Sequence, residues 1–312
     1  MSDLRSRVDW LLFVLLGFFW GSSYLFIKIG VEAGLEPFTL VTFRLFVGFL
    51  LLAAVVAYAR ESLPRSVRTY GHLVGLGLFA VALPFFLITW AEQSVDSALA
   101  ATLTAPVPLF VIPIAALMLH DERMTINKVI GVSVGMIGVA ILVGFDVGEL
   151  GRTDLTPQLA LIVAALSYAL SGVYARRFVH GLRPMIPALF QVFFAMLMSA
   201  AAAVAFEDPI GAATGLPVEG IVAVVWLGLL GSGMAYLLFY RLLGRWGATR
   251  ISLVAYTLPV WGIALGWLVL GEQIHEGLIL GTALVIGGIA LVNGAHVGLW
   301  RRVARASLEQ GR

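Results

Sequence analysis

The 312-residue chain contains no cysteine, and Asp, Glu, Lys and Arg together make up only 12% of it. The missing thiols exclude disulfides, thiolate nucleophiles, cysteine zinc sites and iron–sulfur clusters. The five histidines, His72, His120, His180, His275 and His296, all lie near the ends of apolar runs. None reaches the depth of a serine inside a run, as a buried nucleophile–base pair would require. Ser232, in Gly231-Ser232-Gly233, has no visible base. No Gly-x-x-x-x-Gly-Lys-[Ser/Thr] loop occurs, so ATP hydrolysis by this chain is excluded. Paired aspartates within apolar runs and Asp-rich metal–diphosphate motifs are also missing. The sequence therefore reads as no enzyme, with no cofactor and no metal site.

What the chain does have is hydrophobicity. Sixty per cent of its residues are hydrophobic, where a soluble domain has about 45–50% apolar and about 25% charged residues. A soluble fold of this length would lack polar residues to cover its surface, and lipid resolves the mismatch. The net charge of +2 and pI of about 9.0 do not indicate nucleic acid, because the basic residues are scattered in short clusters. Arg5 and Arg7 ahead of an apolar run from Trp10 resemble a signal peptide, but the run extends to about Ile29. That is too long for a signal core, and it is read as a retained first span.

A span needs about 20 apolar residues. Cutting at charges and turn formers predicts ten: 10–29, 38–58, 71–91, 95–118, 127–144, 156–178, 187–206, 219–241, 247–270 and 277–297. With the N-terminus inside, all Lys and Arg except Lys28, Arg44 and Arg152 fall on inner segments. All acidic residues except Asp3, Asp9, Glu61, Asp121, Glu122 and Glu309 fall on outer ones. The positive-inside rule thus predicts a multi-pass protein of the cytoplasmic membrane with both termini in the cytoplasm.

The two halves echo each other about 150 residues apart. Pro108 is followed by Glu122-Arg123, Gly131 and Gly138, and Pro259 by Glu272-Gln273, Gly281 and Gly288. Five spans per half is an odd number, so the second half must be upside down. The loop charges reverse accordingly. Glu32 and Glu36 correspond to Arg176, Arg177 and Arg183, and Arg60, Arg65 and Arg68 to Glu207, Asp208 and Glu219. Glu92 and Asp96 correspond to Arg245 and Arg250, and Arg123 and Lys128 to Glu272 and Glu276. The expected fold is an all-α integral membrane protein of ten transmembrane helices in two inverted five-helix repeats, an arrangement characteristic of secondary transporters.

Several motifs point to a known family. Trp20-Gly21-Ser22-Ser23-Tyr24 with Lys28, then Arg44, open the chain. Trp90-Ala91-Glu92-Gln93, Ala100-Ala101, Pro108-Leu109-Phe110 and Glu122-Arg123 end its first half. Gly231-Ser232-Gly233, Ala235-Tyr236, Gly247-Ala248, Pro259-Val260, Leu270-Gly271-Glu272 and Gly287-Gly288 mark the second. Together they resemble the EamA family of the drug/metabolite transporter superfamily. The resemblance implies a first repeat at 11–144, a second, inverted repeat at 156–294, and cytoplasmic tails at 1–9 and 298–312. It also implies an inner-membrane exporter or permease of amino acids, related metabolites or drugs, with a cavity lined by helices one, three, four, six, eight and nine. Two departures are an extra residue between Pro108 and Glu122, which would mark a bulge in the fourth span, and His120-Asp121 where the family has Leu-Gly.

Within this frame the substrate-binding candidates are Trp20, Ser23, Tyr24, Lys28, Arg44, Trp90, Glu92, Gln93, Ser171, Tyr236 and Tyr256. Pro106, Pro108 and Pro259 are the candidate helix breaks, since proline leaves a carbonyl unpaired that only protein or cavity water can satisfy in lipid. Aromatic and hydroxyl residues recur on single helical faces (Trp20 and Tyr24; Ser232, Tyr236 and Tyr240; Ser167, Ser171 and Tyr174; Ser252, Tyr256 and Pro259). Such residues equally bridge helices. Lys28 can snorkel, whereas Arg44 lies deeper and suits an outer vestibule or a substrate carboxylate, with Glu92 or Glu32 as counter-ion. Gly17-x-x-x-Gly21 and Gly131-x-x-x-Gly135 are expected helix-packing motifs. The partners implied are a small-molecule solute and the lipid bilayer, with no nucleic acid, and a homodimer stays open. A channel-like facilitator is the rival reading, though no repeated filter or charged ring is evident.

Overall fold

The computed structural model describes residues 2–118, 125–142, 155–179 and 181–292. Among the described residues every regular element is helical. In chain order these are α1 Ser2–Glu32, α2 Pro37–Tyr58, α3 Val67–Ala91, α4 Ser97–Met118, α5 Ile126–Leu142, α6 Thr156–Phe178, α7 Met185–Phe206, α8 Val218–Leu243, α9 Val254–Leu270 and α10 Glu276–Val292. Seven of them, all but α5, α9 and α10, are long and apolar enough to cross a membrane. The multi-pass reading therefore stands on length and composition. A short helix, Pro209–Thr214, lies between α7 and α8.

These residues form helices because a backbone in lipid must satisfy its hydrogen bonds within its own segment. Pro37 and Pro157 stand in the first turns of α2 and α6, where a missing N–H costs nothing. Gly34 and Gly271, with φ of 91° and 69°, stop α1 and α9 in the left-handed conformation. The expected run 156–178 coincides with α6, and most other boundaries shift by a few residues.

The join expected at 242–246 is not a loop. The helix continues through Ile251, and the chain turns at a 3-10 segment, Ser252–Tyr256. Glycines and arginines made 241–247 look like a turn, but tertiary contacts hold the helix. Arg245 Nη1 lies 2.6 Å from Asp9 Oδ1, and Trp246 packs on Trp10 and Phe13. The expected span ends at 143–144 and 293–297 lie outside the described residues. So do His120-Asp121, Glu122-Arg123, Arg152 and the tail 298–312. As far as it is described, Val107–Met118 is regular helix, without the bulge expected after Pro108.

Four helices are interrupted. Helix α4 breaks at 105–106, between Ser97–Thr104 and Val107–Met118. Helices α3 and α8 carry π segments at Leu78–Ala82 and Leu227–Met234. Helix α9 follows a 3-10 turn and ends in a π segment, Gly266–Leu270. By contrast, α5 and α10 are unbroken and pack backbone to backbone: a Cβ at Gly288 would lie 2.5 Å from the Gly135 nitrogen. Glycines also set the α2–α8 crossing, where a Cβ at Gly228 would lie 2.8 Å from the Arg44 carbonyl oxygen. At the α3–α7 crossing a Cβ at Gly77 would lie 3.1 Å from the Gln191 carbonyl oxygen.

The polar contacts between helix ends fall into two sets. One joins Asp9 to Arg245, Glu61 to Arg183 at 2.6 Å, Tyr174 to His72 at 2.8 Å and Arg177 to the Met118 carbonyl at 3.1 Å. The other joins Lys28 to the carbonyls of Glu92 and Val95, Glu207 to the start of α2 and Glu272 to the start of the α4 segment Ser97–Thr104.

Candidate functional site

Arg44 lies about a third of the way along α2 and is 1% exposed. Its guanidinium carbon sits 4.2 Å from the centroid of the Phe85 ring on α3. It interacts electrostatically with Tyr168 on α6, Tyr236 on α8, Glu92 and Tyr24. Its Nε has no hydrogen-bond partner, and among the described residues no carboxylate pairs with it. The expected counter-ion role of Glu92 or Glu32 is therefore corrected: Glu32 is exposed, and Glu92 is a field partner without an ion-pair contact.

Several buried polar groups lie against this cation or in the helices packed around it. The π segment of α8 brings Gly231-Ser232-Gly233 against it, so that a Cβ at Gly231 would sit 3.4 Å from Arg44 Nη2 and 2.7 Å from Ser23 Oγ. Ser232 Oγ is buried without a partner. Tyr24 and Thr104 share a hydroxyl–hydroxyl hydrogen bond. Trp20 packs against Tyr236 and Phe239. Gln191 on α7 is 2% exposed; its Oε1 accepts from the Tyr240 hydroxyl at 3.4 Å, and its Nε2 is unpartnered.

One end of the bundle is closed by carboxylates and carbonyls. Lys28 Nζ donates to the Glu92 and Val95 carbonyls at 2.9 and 3.2 Å, a substitute for snorkelling to headgroups. Glu272 accepts from the Ser97 and Ala98 amides at 2.7 and 3.0 Å. Glu207 accepts from the Phe38 and Thr39 amides at 2.8 and 2.6 Å and from the Thr39 hydroxyl at 2.7 Å. Each caps the N-terminus of another helix, where exposed amides and the helix dipole favour an anion. Glu92, just past α3, is wholly buried with both carboxylate oxygens unpartnered. Burial pushes its carboxyl well above the usual carboxylate range; Lys28 pulls it down, Glu272 adds to the rise and Arg44 opposes it.

The sequence candidates divide accordingly. Trp20, Ser23, Tyr24, Arg44 and Tyr236 converge on the buried cluster. Trp90 and Tyr256 pack against the neighbouring core around Tyr24. Lys28 and Glu92 belong to the capped end, and Gln93 is exposed there. Ser171 turns its hydroxyl onto the Tyr168 carbonyl of its own helix at 2.8 Å, and on the same face Ser167 bonds the Phe79 carbonyl. That face ties helices together. Pro106 lies in the α4 break, whereas Pro108 and Pro259 fall in the first turns of helical segments, where proline is tolerated. Gly17 and Gly21 face Thr257 and Trp261 on the α9 side. Sequence reasoning missed Gln191, Tyr168, Phe85, Thr104, Glu207 and Glu272 as site or cap residues. For Gln191 the signal was available, since it is an amide in an otherwise apolar run.

Comparison with known proteins agrees with this architecture. The sequence profile of the EamA-like transporter family matches residues 9–144 and again 155–294. The chain belongs to this family. EamA-like relatives include a Bacillus subtilis (strain 168) protein called uncharacterized transporter YoaV, 26% identical across 86% of this chain and 91% of that one. The Escherichia coli (strain K12) uncharacterized inner membrane transporter YedA is 28% identical across 88% of this chain and 86% of its own length. A probable amino-acid metabolite efflux pump of Salmonella typhimurium (strain LT2) is 25% identical over 97% of this chain and 99% of its own. A solved crystal structure superimposes with a TM-score of 0.65 over 91% of this chain and 97% of that one, at 22% identity, and shows the shared fold. The chain is thus an EamA-like membrane transporter.

Proposed function

We propose that the chain is a secondary carrier that exports small amphipathic metabolites, amino acids or drugs among them, across the cytoplasmic membrane. It crosses the bilayer ten times as two inverted five-helix repeats, 11–144 and 156–294, with both termini in the cytoplasm. The observation that carries this reading is Arg44: a buried cation with no ion-pair partner among the described residues, ringed by aromatic and hydroxyl side chains drawn from both halves. A charge in lipid is costly and marks a substrate pathway. The π segments at matching places in α3 and α8, and the interruptions in α4 and α9, support an inverted duplication whose halves rock about a central site. The two sets of end contacts support the alternation of helix ends, and relatives named as transporters support the activity. The Salmonella relative's name favours export of a metabolite.

Because the protein has no cysteine of its own, topology is testable with single cysteines. Gln93→Cys should react with an impermeant maleimide from outside intact cells, and Arg245→Cys only after permeabilisation. Reaction of both from one side would end the inverted-repeat reading. Purified protein in liposomes should show saturable counterflow of a labelled solute from a panel of amino acids and nucleosides, weakened by substitution of Trp20 or Arg44. Ohmic, non-saturating flux would instead indicate a channel.

A further inference from the structure

We propose that Arg44, with the Ser232 hydroxyl, is the anchor for the carboxylate of a monoanionic amphipathic solute. Its apolar body would lie among Phe85, Trp20 and Tyr236. The proposal rests on the carrier reading and adds a charge requirement to it.

The inference starts from charge balance in a low-dielectric setting. Arg44 is effectively always protonated and carries five donors in a planar fork. Inside a membrane protein such a group is held by a carboxylate, by backbone carbonyls or by water. Lys28 shows the carbonyl solution, with two main-chain oxygens at 2.9 and 3.2 Å. Arg44 shows neither protein solution: among the described residues no carboxylate pairs with it and no carbonyl accepts from it, and its Nε is unpartnered. Its contact with Phe85 offsets part of the burial cost and no hydrogen bond.

The surroundings then specify the anion. Ser232 Oγ, buried and lacking a partner, is a further donor and follows Gly231, which lies against the guanidinium. Gly231 has no side chain to cover Arg44 Nη2, and a Cβ there would stand 3.4 Å away. One guanidinium balances one negative charge, so a monocarboxylate fits, whereas a phosphate dianion would leave a second charge uncompensated. The planar fork also matches a carboxylate bidentately. The charged group that acts on Arg44 is Glu92 after α3, and Lys28 on α1 and Glu272 after α9 act in turn on Glu92. Of the two carboxylates, Glu272 is committed to the α4 amides and Glu92 is held away from ion pairing. Among the described residues Arg44 is thus left without a carboxylate in contact, which favours acids and disfavours cationic solutes.

The test uses three near-isosteric probes on the purified full chain in detergent: 3-phenylpropionate, 3-phenylpropanamide and 3-phenylpropylamine. Binding is read by tryptophan fluorescence and by thermal shift. The carboxylate should bind at least about tenfold more tightly than the amide or the amine, and Arg44→Gln should remove that preference. Equal binding of the amide or amine, or undiminished carboxylate binding by a folded Arg44→Gln variant, would overturn the proposal. Should Arg44→Gln fail to fold, the wild-type ranking of the three probes decides alone. Saturable liposome flux of the amine without the acid would leave the carrier standing and remove the anion site. Tight carboxylate binding with no solute flux would do the reverse.

Discussion

Where α5 meets α10, a Cβ at Gly138 would fall 2.8 Å from the Gly281 carbonyl oxygen and 2.8 Å from the Val285 nitrogen. Around Arg44 the helices α3 and α8 instead carry π segments, and buried polar atoms lie without partners. The first region has unbroken backbone ladders, small residues and apolar contact, the means by which helices associate in lipid. The second gives up regular hydrogen bonding and leaves donors available. Such irregular backbone is tolerated at membrane depth where protein buries it or where it lines a polar space. The capped end stands between these extremes, since Glu207 and Glu272 are half-buried carboxylates that bond the backbone amides of another helix.

That contrast can be broken most severely at the seam. Gly138→Leu should cost at least about 3 kcal/mol, because backbone atoms cannot yield as a flexible side chain can. Size-exclusion profiles and melting temperature in detergent read the effect, and a monodisperse variant with an unchanged melting temperature would refute the close packing. Arg44→Met should act in the opposite direction. Replacing an unpaired buried charge by an apolar group of similar length should raise stability by about 1–2 kcal/mol while abolishing saturable flux. A stable but fully active variant would deny Arg44 its role.

Glu272→Ala should lower stability by about 1 kcal/mol, the ordinary value of a helix cap, and leave solute recognition unchanged. Equal melting temperatures would show that the cap is not formed in solution. Glu92 predicts a pH effect whose sign follows from its raised carboxyl. The folded state holds the proton more tightly than the unfolded chain, so its contribution is complete below the ordinary value of 4.5 and is lost as pH rises above it. Melting temperature should fall with rising pH in the wild type and fall less in Glu92→Gln; parallel profiles would contradict the burial argument. The smallest effect is expected at Ser171→Ala, within about 0.5 kcal/mol and without loss of flux, because its hydroxyl only turns back on its own helix.

Much of the helix order was legible because lipid imposes a simple rule on sequence: a crossing segment must be apolar and long. The cluster was legible only in part. Trp20, Tyr24, Arg44 and Tyr236 stood out as aromatic or charged residues inside apolar runs. Ser171 stood out for the same reason and proved local, since period alone cannot say whether a face meets a neighbour or a polar interior. Glu272 was visible as part of a motif, but its bond to the Ser97 and Ala98 amides crosses from one half of the chain to the other.

By itself the amino-acid sequence determined that the chain lives in a membrane, that it is helical, where most helices begin and end, and which family it belongs to. Each follows from composition, local periodicity or ordered motifs. Only the tertiary structure decided that Arg44 has no ion-pair partner among the described residues, that Lys28 is held by carbonyls, that helix continues beyond Leu243 to Ile251, and that Arg44 and Gln191 each set a carbonyl against a glycine of a neighbouring helix. Those facts depend on which helix faces which. In a chain this uniformly apolar that choice is made by glycine contacts and a few polar bonds between residues far apart in sequence.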